Sequence, residues 1–164
     1  MVGIRLATHA DLEPALRMRA AAWRESYAGL VPTAAIDAHT AALPASLAHW
    51  TRRLDEGASL WLAVEQGQVV GLAAAGVTGE PDAPTPLELE MLYLLERVKG
   101  RGVGRRLLWT TVGDAPCYLW VLAGNTPAIT FYERHGFVLD GATQESAAVF
   151  EGVKQRRMTR AGQP

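Results

Sequence analysis

One cysteine, Cys117, is all this chain carries, so no disulfide framework staples it and a reducing compartment is its simplest home. No apolar run approaches the about 18 residues of a membrane-spanning helix, and the N-terminus lacks the apolar core of a secretion signal. Charge of neither sign dominates: 16 Lys and Arg face 17 Asp and Glu, a formal net charge of −1. That excludes a global field drawing in nucleic acid or anionic lipid. The four histidines, His9, His39, His49 and His135, share no spacing that gathers a metal ion, and each reads as a surface or capping residue. No internal repeat or linker splits the chain, so residues 1–164 read as a single domain.

What is present is an ordinary globular composition, 49% hydrophobic and 20% charged, with two changes of period along it. Val2 to Ala7 reads as a short strand. Thr8, with Asp11 three residues on, reads as the cap of a helix whose stripe is Leu12, Leu16, Ala20, Trp23 and Tyr27. That helix runs to about Ser26, where Gly29 and Pro32 follow. A second helix covers Ala34 to His39 and a third Pro44 to Glu56, with Leu43, Leu47, Trp50 and Leu54 inward.

From Ser59 the period is that of strands. Ser59 to Glu65 and Val69 to Val77 flank a hairpin turn at Gln66-Gly67-Gln68, and their near-continuous apolar character predicts a sheet covered on both faces. Leu87 to Leu94 is the next strand, and a helix begins at Val103 and closes at Gly113. Cys117 to Leu122 is a buried strand. Thr126 caps a helix opened by Pro127 and ended by Gly136. Phe137 to Leu139 and roughly Ala147 to Met158 give the last two strands. This order predicts an α/β (α+β) fold: a central mixed, mostly antiparallel twisted sheet of about six to seven strands with helices on both faces.

The chemistry gathers around Leu87 to Thr111. Between its strand and helix, Gly100, Gly102 and Gly104 alternate with Arg101 and Val103, and Arg105 and Arg106 follow. A strand that meets a helix through such a loop presents bare backbone N–H groups to an anion. The P-loop pattern is absent, and the third glycine of a dinucleotide fingerprint would fall at Arg105. On the strand, Glu88 and Glu90 put two carboxylates on one face of a segment that otherwise reads as buried. The basic cluster is small and lacks interleaved aromatics, which argues against nucleic acid.

Lys99-Gly100-Arg101-Gly102-Val103-Gly104 resembles the [Q/R]-x-x-G-x-G/A loop of the Gcn5-related N-acetyltransferases, and Leu92-Tyr93-Leu94 resembles the L-Y-V strand end that precedes it. Downstream, Asn125-x-x-Ala128-x-x-Phe131-Tyr132-x-x-x-Gly136-Phe137 matches that family's second signature, N-x-x-A-x-x-F-Y-x-x-x-G-F. Two departures stand out. Lys99 replaces the usual Gln or Arg, and Glu96 stands where a proline is common, which makes the loop entry less rigid.

The resemblance implies the acyl-CoA N-acyltransferase fold and an acetyl-CoA-dependent transfer to a primary amine of a small molecule or peptide. It places the pantetheine arm of coenzyme A on the backbone of Leu92, Tyr93 and Leu94, read by main chain. It places the pyrophosphate on Lys99, Gly100, Arg101, Gly102, Val103, Gly104 and Arg105, with the glycines letting phosphate approach and Arg101 or Arg105 adding a charge. It makes Glu88 the first candidate for general base and Glu90 the second, directly or through water. Tyr132 becomes the general acid, and the Asn125 amide holds the cofactor arm. Phe131, Phe137 and Trp23 are core residues. Trp23-Arg24-x-x-Tyr27-x-Gly29-Leu30-Val31-Pro32 resembles a segment of uncharacterised bacterial members, with Arg24 and Tyr27 toward the acceptor. Metal is not implied, a homodimer is compatible, and the rival reading is a non-catalytic acyl-CoA-binding regulatory module.

Overall fold

The computed structural model describes residues 1–146, 150 and 152–162. Its elements run β1 (Val2–Leu6), α1 (Leu12–Ser26), α2 (Thr33–Ala41), α3 (Leu43–Asp55), β2 (Leu60–Glu65), β3 (Gln68–Val77) and β4 (Leu87–Leu94). They continue as α4 (Val103–Val112), β5 (Cys117–Leu122), α5 (Thr126–Glu133), β6 (Val138–Glu145) and β7 (Lys154–Arg160). One 7-stranded sheet has the order β1-β2-β3-β4-β5-β7-β6, antiparallel throughout except where β4 meets β5. This is the mixed, mostly antiparallel sheet with helices on both faces that the periodicity predicts.

Alternation along the central strands assigns the two faces. Leu72 and Ala74 of β3 join Leu60 and Leu62 of β2 against Leu12, Leu16 and Ala22 of α1 and Trp50 of α3. The neighbour Ala73 turns the other way, to Leu94, Val103 and Leu107 beside α4. Leu119 and Val121 of β5 meet Leu108 of α4 and Ile129 and Tyr132 of α5 on that second face. Each fully buried leucine contributes about 1.5–3 kcal/mol of apolar transfer. The apolar runs of β2 and β3 therefore follow from a sheet sandwiched between helices.

Local signals explain most boundaries. Gln66 (φ 51°) and Gly67 (φ 77°) both adopt the left-handed region between the paired Glu65 and Gln68, the geometry of a two-residue hairpin turn. The Asp11 carboxylate accepts from the Thr8 N–H and hydroxyl, each at 2.8 Å. That contact caps a 3-10 turn, His9–Asp11, and α1 proper begins after it.

Four expectations need correction. The cap of α5 is Asn125, whose Oδ1 accepts from the Ala128 N–H at 3.3 Å, and Thr126 is already helical. β6 is longer than Phe137 to Leu139 because its pairing with β7 resumes beyond an irregularity between Leu139 and Thr143. β7 starts at Lys154, and residues 147–149 of the expected last strand lie outside the described residues. Finally, His39 is a packed aromatic: its ring lies 4.9 Å from Trp23 and 6.1 Å from Phe150.

Candidate active site

β4 and β5 pair at one position, Glu88 opposite Tyr118, and β4 then runs on to Leu94 without a further partner in β5. On its other edge β4 is held by β3 along its length. Leu95 donates its N–H to Val70 O at 3.0 Å, so strand alternation turns the N–H and C=O of Leu94 and Leu92 toward the opening. The result is a split with Glu88 at its closed end and a free strand edge along one wall. A bulge sits beside the closed end: Ala74 faces Met91 and Ala75 faces Leu89, leaving Glu90 without a counterpart.

At the open end stands the glycine loop. Gly100 (φ 72°) and Gly102 (φ 75°) adopt the left-handed region, and Gly102 is the N-cap of α4 with no side-chain cap. The N–H groups from Gly100 to Arg105 find no acceptor among the described residues, while Arg106 N–H closes the first helical bond onto Gly102 O. Space above Gly100 and Gly102 is open. The helix dipole and these donors together form an anion seat.

The expectation that all three glycines clear room for a phosphate is corrected at Gly104. That residue is buried, and a Cβ there would lie 3.1 Å from Leu94 and 3.2 Å from Phe131. Its smallness lets α4 approach β4 and α5. Lys99 donates to Ser26 Oγ at 3.0 Å and to Glu96 at 2.7 Å, and Glu96–Val98 forms a 3-10 turn, so the loop entry is tied to α1. Arg101 is turned back to Glu65 at 2.7 Å, which also holds Arg97 at 2.8 Å and keeps the Glu65 carboxyl below its ordinary range. Arg105 is exposed beside Trp109, Arg134 and Arg160 around a cavity of about 300 Å³.

The two carboxylates of β4 share the α1/α3 side but not a fate. Glu90 is gripped by both guanidinium nitrogens of Arg53 on α3, at 2.5 and 2.9 Å. Glu88 meets the Tyr118 hydroxyl at 3.2 Å, and that hydroxyl also lies 3.3 Å from Glu80 in the β3–β4 loop. Burial raises the Glu88 carboxyl above its ordinary value, the Tyr118 hydrogen bond pulls it back in part, and the nearby Glu80 and Glu90 charges raise it again. Tyr118 itself is pushed up to about 12, chiefly by burial. Glu88 is thus a half-buried carboxyl with no cation holding it among the described residues.

Three phenols bracket the split. Tyr132 is buried in the α5 core against Phe131 and Phe137, and its hydroxyl has no hydrogen-bond partner among the described residues. Burial holds the Tyr132 and Tyr27 phenols well above the ordinary tyrosine range, and the neighbouring Tyr93 adds to both. The structure therefore brings Tyr27, Tyr93 and Tyr132 together across the gap. It does not bring Arg24 to them: that guanidinium reaches Asp37 at 3.0 Å and Thr40 at 3.4 Å on α2. Asn125 spends its carbonyl oxygen on the α5 cap. Arg53, Tyr118 and Glu80 carry no local signal in the sequence; only the sheet register and the α3 packing bring them to β4.

No helix among the described residues is long and apolar enough to cross a membrane, and no group of three His, Cys, Asp or Glu residues there could hold a metal ion.

Comparison with known proteins follows the same lines. Residues 16–137 match the family model described as "Acetyltransferase (GNAT) family". A Mycobacterium tuberculosis protein named "Probable N-acetyltransferase Rv2775" is 28% identical over 148 residues, covering 87% of this chain and 83% of that one. Among solved structures, PaiA N-acetyltransferase of Thermoplasma acidophilum, in complex with coenzyme A, superposes with a TM-score of 0.74 at 19% identity, covering 98% of this chain and 99% of that one. Ribosomal-protein-alanine N-acetyltransferase of Brucella melitensis gives 0.66 at 24% identity, covering 97% and 99%. At these identities the superpositions speak for the fold.

Proposed function

Because the chain belongs to the acetyltransferase (GNAT) family, we propose that it moves an acetyl group from acetyl-CoA to a primary amine of a small molecule or peptide. The observation that carries this reading is the β4/β5 split, with a run of unpaired N–H groups at its open end and Glu88 at its closed end. The residues present fit the coenzyme: Gly100 to Arg105 supply donors over open space for a pyrophosphate, and Leu92 and Leu94 supply a free strand edge for an extended amide arm. Bound there, acetyl-CoA supplies a thioester carbonyl to be attacked.

Glu88 takes the proton that the amine must lose, directly or through one water. An ordinary alkyl ammonium has a pKa of about 10.4, so the amine is nearly all protonated at neutral pH. A carboxylate raised by burial is a better match to that task than an exposed one. Glu90, already gripped by Arg53, supports the bulge instead. Tyr132 holds a proton on Oη and returns it to the departing sulfur. Between ordinary values, phenol to thiol is uphill by about 1.5 units, or ~2 kcal/mol; burial of Tyr132 adds to that cost, and the same poorly solvated split destabilises a bare thiolate.

A non-catalytic acyl-CoA-binding module would need the donor seat alone and would leave the Glu88 carboxyl, held by no cation, without a task. Thiol release from acetyl-CoA across an amine panel tests the proposal: turnover with at least one amine is expected, and release no faster than hydrolysis with every amine refutes it. The same reading treats residues 1–164 as one catalytic domain. A cytoplasmic location is supported by the single buried thiol of Cys117, and a homodimer by the resemblance alone; sedimentation velocity checks the latter.

A further inference from the structure

The loop that presents the anion seat, residues 95–102, is held by side chains on both flanks. On one flank Glu65, the last residue of β2, takes Arg97 at 2.8 Å and Arg101 at 2.7 Å. On the other flank the last turn of α1 reaches the loop twice. The Glu25 carboxylate accepts from the Glu96 N–H at 2.7 Å, and Ser26 Oγ accepts from Lys99 Nζ at 3.0 Å. Between the flanks Val98 is fully buried among Val103 and Leu107 of α4. The side chains are thus committed to the protein, and the backbone from Gly100 onward is left to face a ligand.

Glu25 stands in an electrostatically poor place. It lies in the last turn of α1, where the helix dipole disfavours a negative charge, and on the flank of a loop whose N–H groups await an anion. The bond it makes offsets that cost. The Glu96 N–H opens the 3-10 turn Glu96–Val98, and Glu25 satisfies a donor that the turn itself leaves free. This bond depends on the residue at position 96, because a proline there has no N–H to donate. Leu95 nonetheless has φ −64° and ψ 145°, the extended backbone that a residue before proline adopts. The entry keeps the shape that a proline would impose, and a carboxylate from α1 holds it instead.

We propose that Glu25 is a positioning residue of the coenzyme seat: its bond to the Glu96 N–H sets the loop before any anion arrives. The inference rests on the coenzyme reading of the seat, but its first readout needs no coenzyme. Amide exchange is followed at Val98 and Lys99, whose N–H groups close the turn onto Leu95 O and Glu96 O. Wild type, Glu25→Ala, Glu96→Pro and the double variant are compared; both side chains are exposed, so the fold is kept. Glu25→Ala speeds exchange at both amides about tenfold. In the Glu96→Pro background the same substitution changes nothing, because the bond is already gone and the ring fixes the entry. Calorimetry with acetyl-CoA then reads the sign. A field effect alone predicts tighter binding of a polyanion once a carboxylate beside its seat is removed. Positioning predicts the reverse: Glu25→Ala binds about fivefold more weakly, as fewer molecules hold the competent loop. Glu25→Gln, which keeps an accepting oxygen, loses less, and kcat at saturation is unchanged in both. Unaltered exchange in Glu25→Ala, equal or tighter binding there, or the same loss in the Glu96→Pro background overturns the inference. Faster exchange in Glu25→Ala with no heat from acetyl-CoA in wild type upholds the hold on the loop and refutes the coenzyme reading instead.

Discussion

The two sides of the β4/β5 split are built from different materials. The proposed donor side uses main chain: the free edge of Leu92 and Leu94, and the N–H groups from Gly100 to Arg105. Its side chains are turned away, Arg101 and Arg97 to Glu65 and Lys99 to Ser26 and Glu96. The proposed acceptor side uses side chains brought from afar: Arg53 on Glu90, and Tyr118 and Glu80 on Glu88. A backbone-built site reads a ligand by shape and tolerates substitution. A side-chain-built site can change its substrate while the donor side stays as it is.

That division is breakable by substitution. The largest effect is expected on the acceptor side, from Glu88→Gln: turnover falls about 10³-fold, with acetyl-CoA affinity unchanged. The low-pH limb of kcat/KM should also vanish in this variant. Burial places the ionisation of Glu88 above its ordinary value, so wild-type activity rises as pH climbs through that raised pKa and the carboxylate forms. Retained turnover, or an unaltered acid limb, would remove Glu88 from the base role. Tyr132→Phe comes next, with kcat down about 10²-fold. The buried aromatic body is kept, so the far-UV spectrum and melting temperature stay those of wild type.

On the donor side, Gly102→Val adds a Cβ at a left-handed backbone position, a strain of about 1–2 kcal/mol. Acetyl-CoA affinity then drops about tenfold by calorimetry, with kcat at saturation retained. An effect on kcat alone would mean that the loop acts on chemistry. The smallest effect belongs to Arg53→Met, which leaves Glu90 half-buried without its cation. Stability in urea falls by about 1–2 kcal/mol, discounted from the fully buried case because both side chains keep some exposure. Turnover at saturation changes less than about threefold, and a collapse would bring Glu90 into the chemistry.

The same division explains what the sequence discloses. The element order, the hairpin at Gln66-Gly67 and the two-faced burial of β2 and β3 follow from period and turn chemistry, which act over a few residues. The glycine loop is legible because left-handed φ at Gly100 and Gly102 demands glycine locally. Gly104 is legible as a glycine but not for its reason, since its neighbours Leu94 and Phe131 come from two other elements. The cap of α5 turns on whether Asn125 or Thr126 lies outside the helix, a one-residue difference that periodicity does not resolve. Glu88 and Glu90 stand out together, and only the pairing of Glu90 with Arg53 separates their roles.

The most direct test is a calorimetric titration of acetyl-CoA into wild type, Glu88→Gln and Gly102→Val. A donor site made of main chain predicts one binding event per chain in wild type, the same affinity in Glu88→Gln, and about tenfold weaker binding in Gly102→Val. No heat at high micromolar acetyl-CoA in wild type, or binding that depends on Glu88 and ignores Gly102, would contradict it.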